Sequence, residues 1–306
     1  MKVGMIGIGD IAKKAYLPVL TQLSGIELHV YTRNAHTLQE VAAQYRIKHI
    51  YTSFEDLVNS GVKAVFVHSS TESHEAIIDK LLNHNLHVYV DKPITYDGPS
   101  SERLIQKAKD RGLLLMVGFN RRFAPPYQAL KDVKDPNLLI VEKHRGHQAA
   151  DPRTFIFDDF IHVIDTLLYL FPYSIEHYRV RAKLADNQLH HVMLQLEAKE
   201  GTAIGIMNRE AGTTEEQVKI CSTTETRTVR NIRDEASFQN KTMTLKGSDD
   251  WEPTLYKRGF HHIVECFLHK VRTETIQPKD YAEDLERHLV AELVVNAIHE
   301  KNSEFS

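Results

Sequence analysis

Asp158, His162 and Asp165 recur at i, i+4 and i+7, so they share one face if the segment is helical. A histidine with a carboxylate one turn away can take a proton from a hydroxyl, because its ordinary pKa lies near neutrality. Such a face could also ligate a metal, but no further ligand cluster stands near it in the sequence, and a structural Asp–His pair fits the same spacing. A second chemical signal is Lys92, which follows the apolar run Val88-Tyr89-Val90 and precedes Pro93. At the carboxyl end of a parallel strand, a lysine ammonium can hydrogen-bond a substrate hydroxyl and stabilise alkoxide character as hydride leaves carbon. A strand-end lysine is also an ordinary exposed residue, so Lys92 needs a partner group to acquire meaning.

The third signal is the run Gly7-Ile8-Gly9-Asp10-Ile11-Ala12, straight after the apolar stretch Val3 to Ile6. Strand-to-helix passage over a dinucleotide needs Gly7 for the tight bend, Gly9 for close backbone approach to a pyrophosphate, and a small residue, Ala12, where helix meets sheet. The helix opening at Asp10 and Ile11 would present amide hydrogens and partial positive charge to the phosphates. Nucleotide choice turns on the end of the second strand, which reads Tyr31-Thr32-Arg33-Asn34. No carboxylate is there to accept from a ribose 2′-hydroxyl, whereas Arg33 can pair with a 2′-phosphate and Thr32 can hydrogen-bond it. NADP(H) is therefore the expected cofactor, with NAD(H) as the alternative.

These groups need a scaffold, and the first 120 residues alternate short apolar strands with amphipathic helices, the pattern of a doubly wound parallel sheet. Strands are expected at 3–6, 26–32, 49–51, 63–69, 86–91 and 113–119. Between them lie helices at 11–23, 35–45, 54–59, 73–83 and 99–111, that at 54–59 capped through Ser53 and Asp56. Beyond Phe119 the rhythm changes. A helix near 125–133, a strand at 138–145 and a helix at 154–171 lead into strands at 177–184, 188–198, 202–210, 217–222, 227–232 and 241–245. Closing helices follow at 255–271 and 278–299, the second with Leu285, Leu289, Leu293 and Ala297 on one stripe. The chain thus reads as α/β, with a nucleotide-binding domain over 1–120 and a substrate domain over 121–306 built on a large, mostly antiparallel sheet.

Composition removes several classes. Among 306 residues, 38 basic and 41 acidic side chains give a net charge of -3, which offers no nucleic-acid or acidic-membrane surface. No apolar run approaches the roughly 20 residues needed to cross a bilayer, and the first strand starts at Lys2, so a cytoplasmic protein is expected. Cys221 and Cys266 lack metal or disulfide spacing and read as core residues. Among the 18 histidines, the pairs His190-His191 and His261-His262 read as surface or satisfied residues, and His74 as support for the loop before its helix. Trp251 reads as an anchor for the last helices, with a lid over the site as the alternative.

Taken in order, Gly7 to Ala12, Ser69-Ser70-Thr71-Glu72-Ser73-His74, Asp91-Lys92-Pro93, and Asp158 with His162 resemble the Gfo/Idh/MocA oxidoreductases, and especially their MviM-like members. Phe66 to Thr71, Gly118 to Pro125, Lys143-His144-Arg145, Trp251 and Arg258-Gly259-Phe260 extend the resemblance over nearly the whole chain. It implies an N-terminal Rossmann domain, a C-terminal α/β sheet domain and nicotinamide-dependent redox chemistry on sugars, polyols or their derivatives. By position, Lys92 matches the family's lysine, His162 its acid/base and Asp158 its substrate-side aspartate. Thr71 falls where the family often has an Asn near the nicotinamide ribose, and Ser69 is expected among the cofactor-binding residues. Arg122, His144 and Arg145 would meet substrate hydroxyl or carboxylate groups, although Arg121 or Arg122 could equally be an interdomain packing residue. Asp91 in place of the usual glutamate and Ser70 in place of a common proline are departures that bear on the nicotinamide contacts. The expected partner is a small polyhydroxylated molecule, and the expected assembly a homo-oligomer, dimer or tetramer, through the C-terminal sheet. No metal is expected. Two rival readings remain at this point: a nucleotide-responsive regulator that keeps the scaffold without turnover, and sugar chemistry that uses the cofactor only transiently.

Overall fold

The structure is a computed structural model that describes residues 1–247 and 249–303. It divides into two compact units, Met1–Gly118 with Phe260–His288, and Phe119–Gly259 with the chain from Leu289 onward. The chain leaves the first unit at Gly118 and later returns to it, a return that helical periodicity in the closing segment does not disclose.

The first unit carries β1 (Lys2–Ile6), β2 (Glu27–Tyr31), β3 (His49–Tyr51), β4 (Ala64–Val67), β5 (His87–Val90) and β6 (Leu115–Val117). All pair in parallel in the order β3-β2-β1-β4-β5-β6, the doubly wound arrangement whose strand order reverses beside β1. β4, Ala-Val-Phe-Val, is buried at every position, as a central parallel strand covered on both faces must be. Short capped helices connect the strands; Ser53 Oγ accepts from Asp56 N at 3.1 Å, the expected cap for Phe54–Asn59.

The returning segment completes this sheet. In the Phe260–Thr273 helix, Phe267 packs edge-on against Phe66 and Tyr89, with ring centroids 5.2 and 5.5 Å away, and Phe260 meets Tyr16 at 5.4 Å. The following helix, Pro278–Ser303, supplies polar partners to backbone that the strands leave open. Asp284 Oδ2 accepts from Val117 N on edge strand β6 at 2.9 Å, Tyr281 Oη donates to Leu113 O at 3.0 Å, and His288 Nε2 accepts from Ile94 N at 2.9 Å. Burial pushes His288 down to about 4, so the ring is neutral and its Nε2 keeps the lone pair this contact requires. Asp284→Ala leaves a buried Val117 N–H without its acceptor and should cost roughly 1–3 kcal/mol, read as a lower urea midpoint. An unchanged midpoint would show that Val117 finds another acceptor.

The second unit holds β7 (Leu138–His144), β8 (His177–Ala185), β9 (Gln188–Glu197), β10 (Thr202–Asn208), β11 (Glu215–Cys221), β12 (Thr226–Arg230), β13 (Asp234–Gln239) and β14 (Thr242–Lys246). Their order is β14-β13-β12-β11-β7-β10-β9-β8, antiparallel throughout except for the parallel β7–β10 pair. The Ile161–Leu170 helix lies directly on this sheet. A Cβ on Gly205 of β10 would come within 2.6 Å of Leu167 and Val163, so only glycine lets helix and strand approach this closely.

Four sequence expectations change. β13 was not foreseen, because none of its residues is fully buried and no apolar alternation marks it. Trp251 is 93% exposed and anchors neither helix nor site. Cys221 and Cys266 are half-buried rather than core. The stripe Leu285, Leu289, Leu293, Ala297 is not the buried face: Leu289 and Leu293 are exposed, while Val290, Ala291, Val294, Val295 and Ile298 are buried. A strict i+4 row drifts around a helix of 3.6 residues per turn, and the true contact face mixes steps of three and four.

Candidate active site and cofactor cavity

In the first unit a cavity of about 450 Å³ opens where the glycine turn meets the ends of β2 and β4. Gly7 has φ +87°, and a Cβ there would lie 2.5 Å from Ser69 N and 2.7 Å from the His68 carbonyl carbon. Only glycine serves both the left-handed turn and the contact with the β4 loop. Gly9 lines the same cavity, and Ala12 is fully buried beneath it. Asp10 is exposed and pairs with Lys14 at 2.7 Å. Ile11 and the residues after it form a helix whose first turn, Ala12–Tyr16, is π-wound before the α-helix Leu17–Leu20.

Thr32 and Arg33 line the cavity, and Lys80 adds a second cation; no aspartate or glutamate is among its lining residues. His68, at the end of β4, is 3% exposed and stacks on Tyr16 at 4.0 Å. Neither of its ring nitrogens has a hydrogen-bond partner among the described residues. Burial, with the neighbouring His74, pushes His68 down to about 3, so it is neutral at ordinary pH. A positive-φ glycine turn, two cations without a carboxylate, and a neutral orphaned histidine fit a nicotinamide dinucleotide. Sequence reasoning missed His68, buried at the end of β4, and Lys80, exposed on the helix that follows it.

Ser69 and Thr71 sit at the same strand end, Ser69 Oγ accepting from Ser73 Oγ at 2.8 Å and Thr71 opening the Thr71–Asn83 helix. His74 ties this loop to the one bearing Lys92. Its Nδ1 lies 2.9 Å from Pro93 O and its Nε2 3.1 Å from Ser69 O, which fits the loop-supporting role expected for it. Lys92 is half-buried just after β5, joined to Pro93 by a cis peptide bond.

The second unit carries Asp158, His162 and Asp165 on one segment. Pro152–Phe155 runs into a π turn, Ile156–Phe160, and then into the Ile161–Leu170 helix. Asp158 is half-buried within the π turn, and His162 is 9% exposed at the start of the α-helix. Asp165 is fully buried, with Oδ1 3.0 Å from Arg122 Nε. A single-turn π insertion is frequent at functional sites and leaves no trace in residue spacing.

The carboxylate that organises this unit is Asp159, which sequence reasoning passed over. It binds Lys143, Arg145 Nε at 2.9 Å and Arg209 Nη2 at 3.1 Å. Burial would raise its pKa, but Lys143 and then Arg145 outweigh that and hold it well below the carboxylate range. Beside it Arg121 makes a two-pronged pair with Glu216 at 2.7 and 2.8 Å, and Tyr127 Oη donates to the same carboxylate at 2.8 Å. His144 Nδ1 accepts from Asn208 N at 3.3 Å, and Arg145 stays one-third exposed. One signal for Lys143 was readable: it occupies the inward register of β7 after Leu139 and Val141.

A parallel sheet in the order 3-2-1-4-5-6, with a glycine turn and an acid-free cavity beside its first strand, defines a nicotinamide-dinucleotide-binding protein. Residues 1–119 match the model of an oxidoreductase family with an NAD-binding Rossmann fold, and residues 125–240 match a YceM-like C-terminal domain. The YceM protein of Salmonella typhimurium is 32% identical over 97% of each chain. A solved dehydrogenase (MviM) from Clostridium difficile is 34% identical, with a TM-score of 0.93 over 97% of this chain and 99% of that one. Inositol 2-dehydrogenase of Salmonella typhimurium is 27% identical over 56% of this chain and 54% of its own. The chain belongs to the Gfo/Idh/MocA family of oxidoreductases. Among the described residues, no helix is long and apolar enough to cross a membrane.

Proposed function

We propose that the protein is an NADP(H)-preferring oxidoreductase that interconverts a secondary alcohol and a carbonyl on a small polyhydroxylated compound. The carrying observation is the cavity lined by Gly7, Gly9, Thr32, Arg33 and Lys80 with no carboxylate. Arg33 and Thr32 hold the 2′-phosphate, and the backbone from Gly7 to Ala12 holds the pyrophosphate. When bound, the nicotinamide would supply or accept the hydride. Lys92 donates a hydrogen bond to the substrate oxygen and favours its alkoxide character. His162 takes or returns the hydroxyl proton, and Asp158 holds the substrate or orients His162. Arg122, His144 and Arg145 bind the remaining substrate groups. A polyol or sugar substrate is supported by the likeness to inositol 2-dehydrogenase. Self-association through the large sheet is supported by the exposed apolar side chains Phe238, Met243 and Leu245 on the β13–β14 ribbon.

Calorimetric titration with NADPH and NADH, after removal of copurified nucleotide, tests the reading. NADPH should bind more tightly, and Arg33→Ala should weaken NADPH by roughly tenfold or more, the worth of a charge-assisted hydrogen bond, with little change for NADH. Tighter NADH binding would overturn the assignment of Arg33. Binding of neither would favour a scaffold without turnover.

A further inference from the structure

We propose that Glu27, His29 and His49 form a binding site for a zinc-type divalent cation on the β2–β3 edge of the first unit. In the parallel β2–β3 pair, His29 stands directly opposite His49. Glu27 lies two residues before His29, so its side chain leaves the strand on the same face. A single carboxylate oxygen, Glu27 Oε1, lies 2.8 Å from His29 Nε2 and 3.7 Å from His49 Nε2. Both rings therefore turn the same nitrogen toward one point. One candidate ligand atom from each residue falls within 4.8 Å of the others, and no other such group of three occurs among the described residues.

Two imidazoles and a carboxylate are a zinc donor set, which leaves the fourth position to water. Zinc bonds near 2.0–2.2 Å would set these atoms about 3.3 Å from one another, so Glu27 Oε1 would draw back slightly from His29 Nε2 and close slightly on His49 Nε2. The two rings now stack with centroids 4.5 Å apart, but the side chains of His49 and Glu27 are 40% and 46% exposed and have room to turn. His29 is the fixed member, with its side chain only 2% exposed. Its Nδ1 lies 2.8 Å from Tyr51 Oη, the outer partner that sets ring orientation in histidine metal sites. The nearby Lys2 ammonium donates to Ser60 O at 3.0 Å. The bound ion would clamp the three-residue edge strand β3 to β2.

Tag-free protein, stripped by chelator and titrated with Zn²⁺ by calorimetry, should show one saturable equivalent. Co²⁺ in its place should give visible absorption of a four-coordinate site. His49→Ala and Glu27→Gln should each weaken that equivalent by about tenfold or more, and Zn²⁺ should raise the thermal midpoint of the parent chain but not of either variant. Circular dichroism checks that the variants fold; should one fail, the other decides. No saturable equivalent, or one that both variants retain at full affinity, overturns the site.

Discussion

Lys92→Ala is expected to lower turnover by about a hundredfold or more while NADPH binding is retained, and His162→Gln to do the same. The two residues are assigned different halves of one step, polarisation of the oxygen and movement of its proton. Each loss should therefore fall on kcat and kcat/KM together rather than on cofactor affinity. The measurement is nicotinamide absorbance against the best substrate from a panel of polyols and sugars, alongside NADPH titration of each variant. Wild-type turnover in both variants would sink the mechanism. Lost NADPH binding would instead make Lys92 a cofactor-holding residue.

The second large effect is on stability and is asymmetric. Asp159→Asn removes the anion shared by Lys143, Arg145 and Arg209 and leaves three cations around a buried amide. Breaking a buried pair from this side should cost about 3–5 kcal/mol. Lys143→Met removes one cation of three, leaves Asp159 paired with two arginines, and should cost less than about 1.5 kcal/mol. Burial, and next the Arg121 charge, pull Lys143 down from 10.5 to about 7. Between those values the unfolded chain holds a proton that the folded chain has released, so this group adds stability as pH rises from about 7 toward 10 and nothing below. Urea midpoints of the parent chain should climb relative to Lys143→Met over that range. Equal costs for the two substitutions, or parallel pH curves, would refute this account.

The parts of the fold read from sequence were those whose signal is local. The β1 turn, the Asn34-capped Ala35–Tyr45 helix and the buried run of β4 each depend on residues a few positions apart. So does the placement of Lys92 at a strand end. What escaped depends on pairing across the chain. Glu216 and Arg209 acquire meaning only when β10 and β11 lie beside β7, and Asp159 was hidden by the more suggestive spacing of its neighbour Asp158. The π turn at Ile156–Phe160 is a backbone choice made by packing, with no composition of its own. His29 and His49, twenty residues apart, become neighbours only through strand register.

The return of Phe260–His288 to the first sheet also sets the order of events on the ribosome. Residues 1–118 emerge first, yet Val117 N, Leu113 O and Ile94 N wait for partners that lie beyond residue 280. At roughly 5–20 residues per second, about 10–30 s separate synthesis of β6 from that of its last partners. During that interval the nascent nucleotide-binding half carries an open strand edge, the feature that chaperones and aggregation both recognise. A gene truncated after β6 should accordingly yield chain that stays bound to chaperones or precipitates, however complete its strand count.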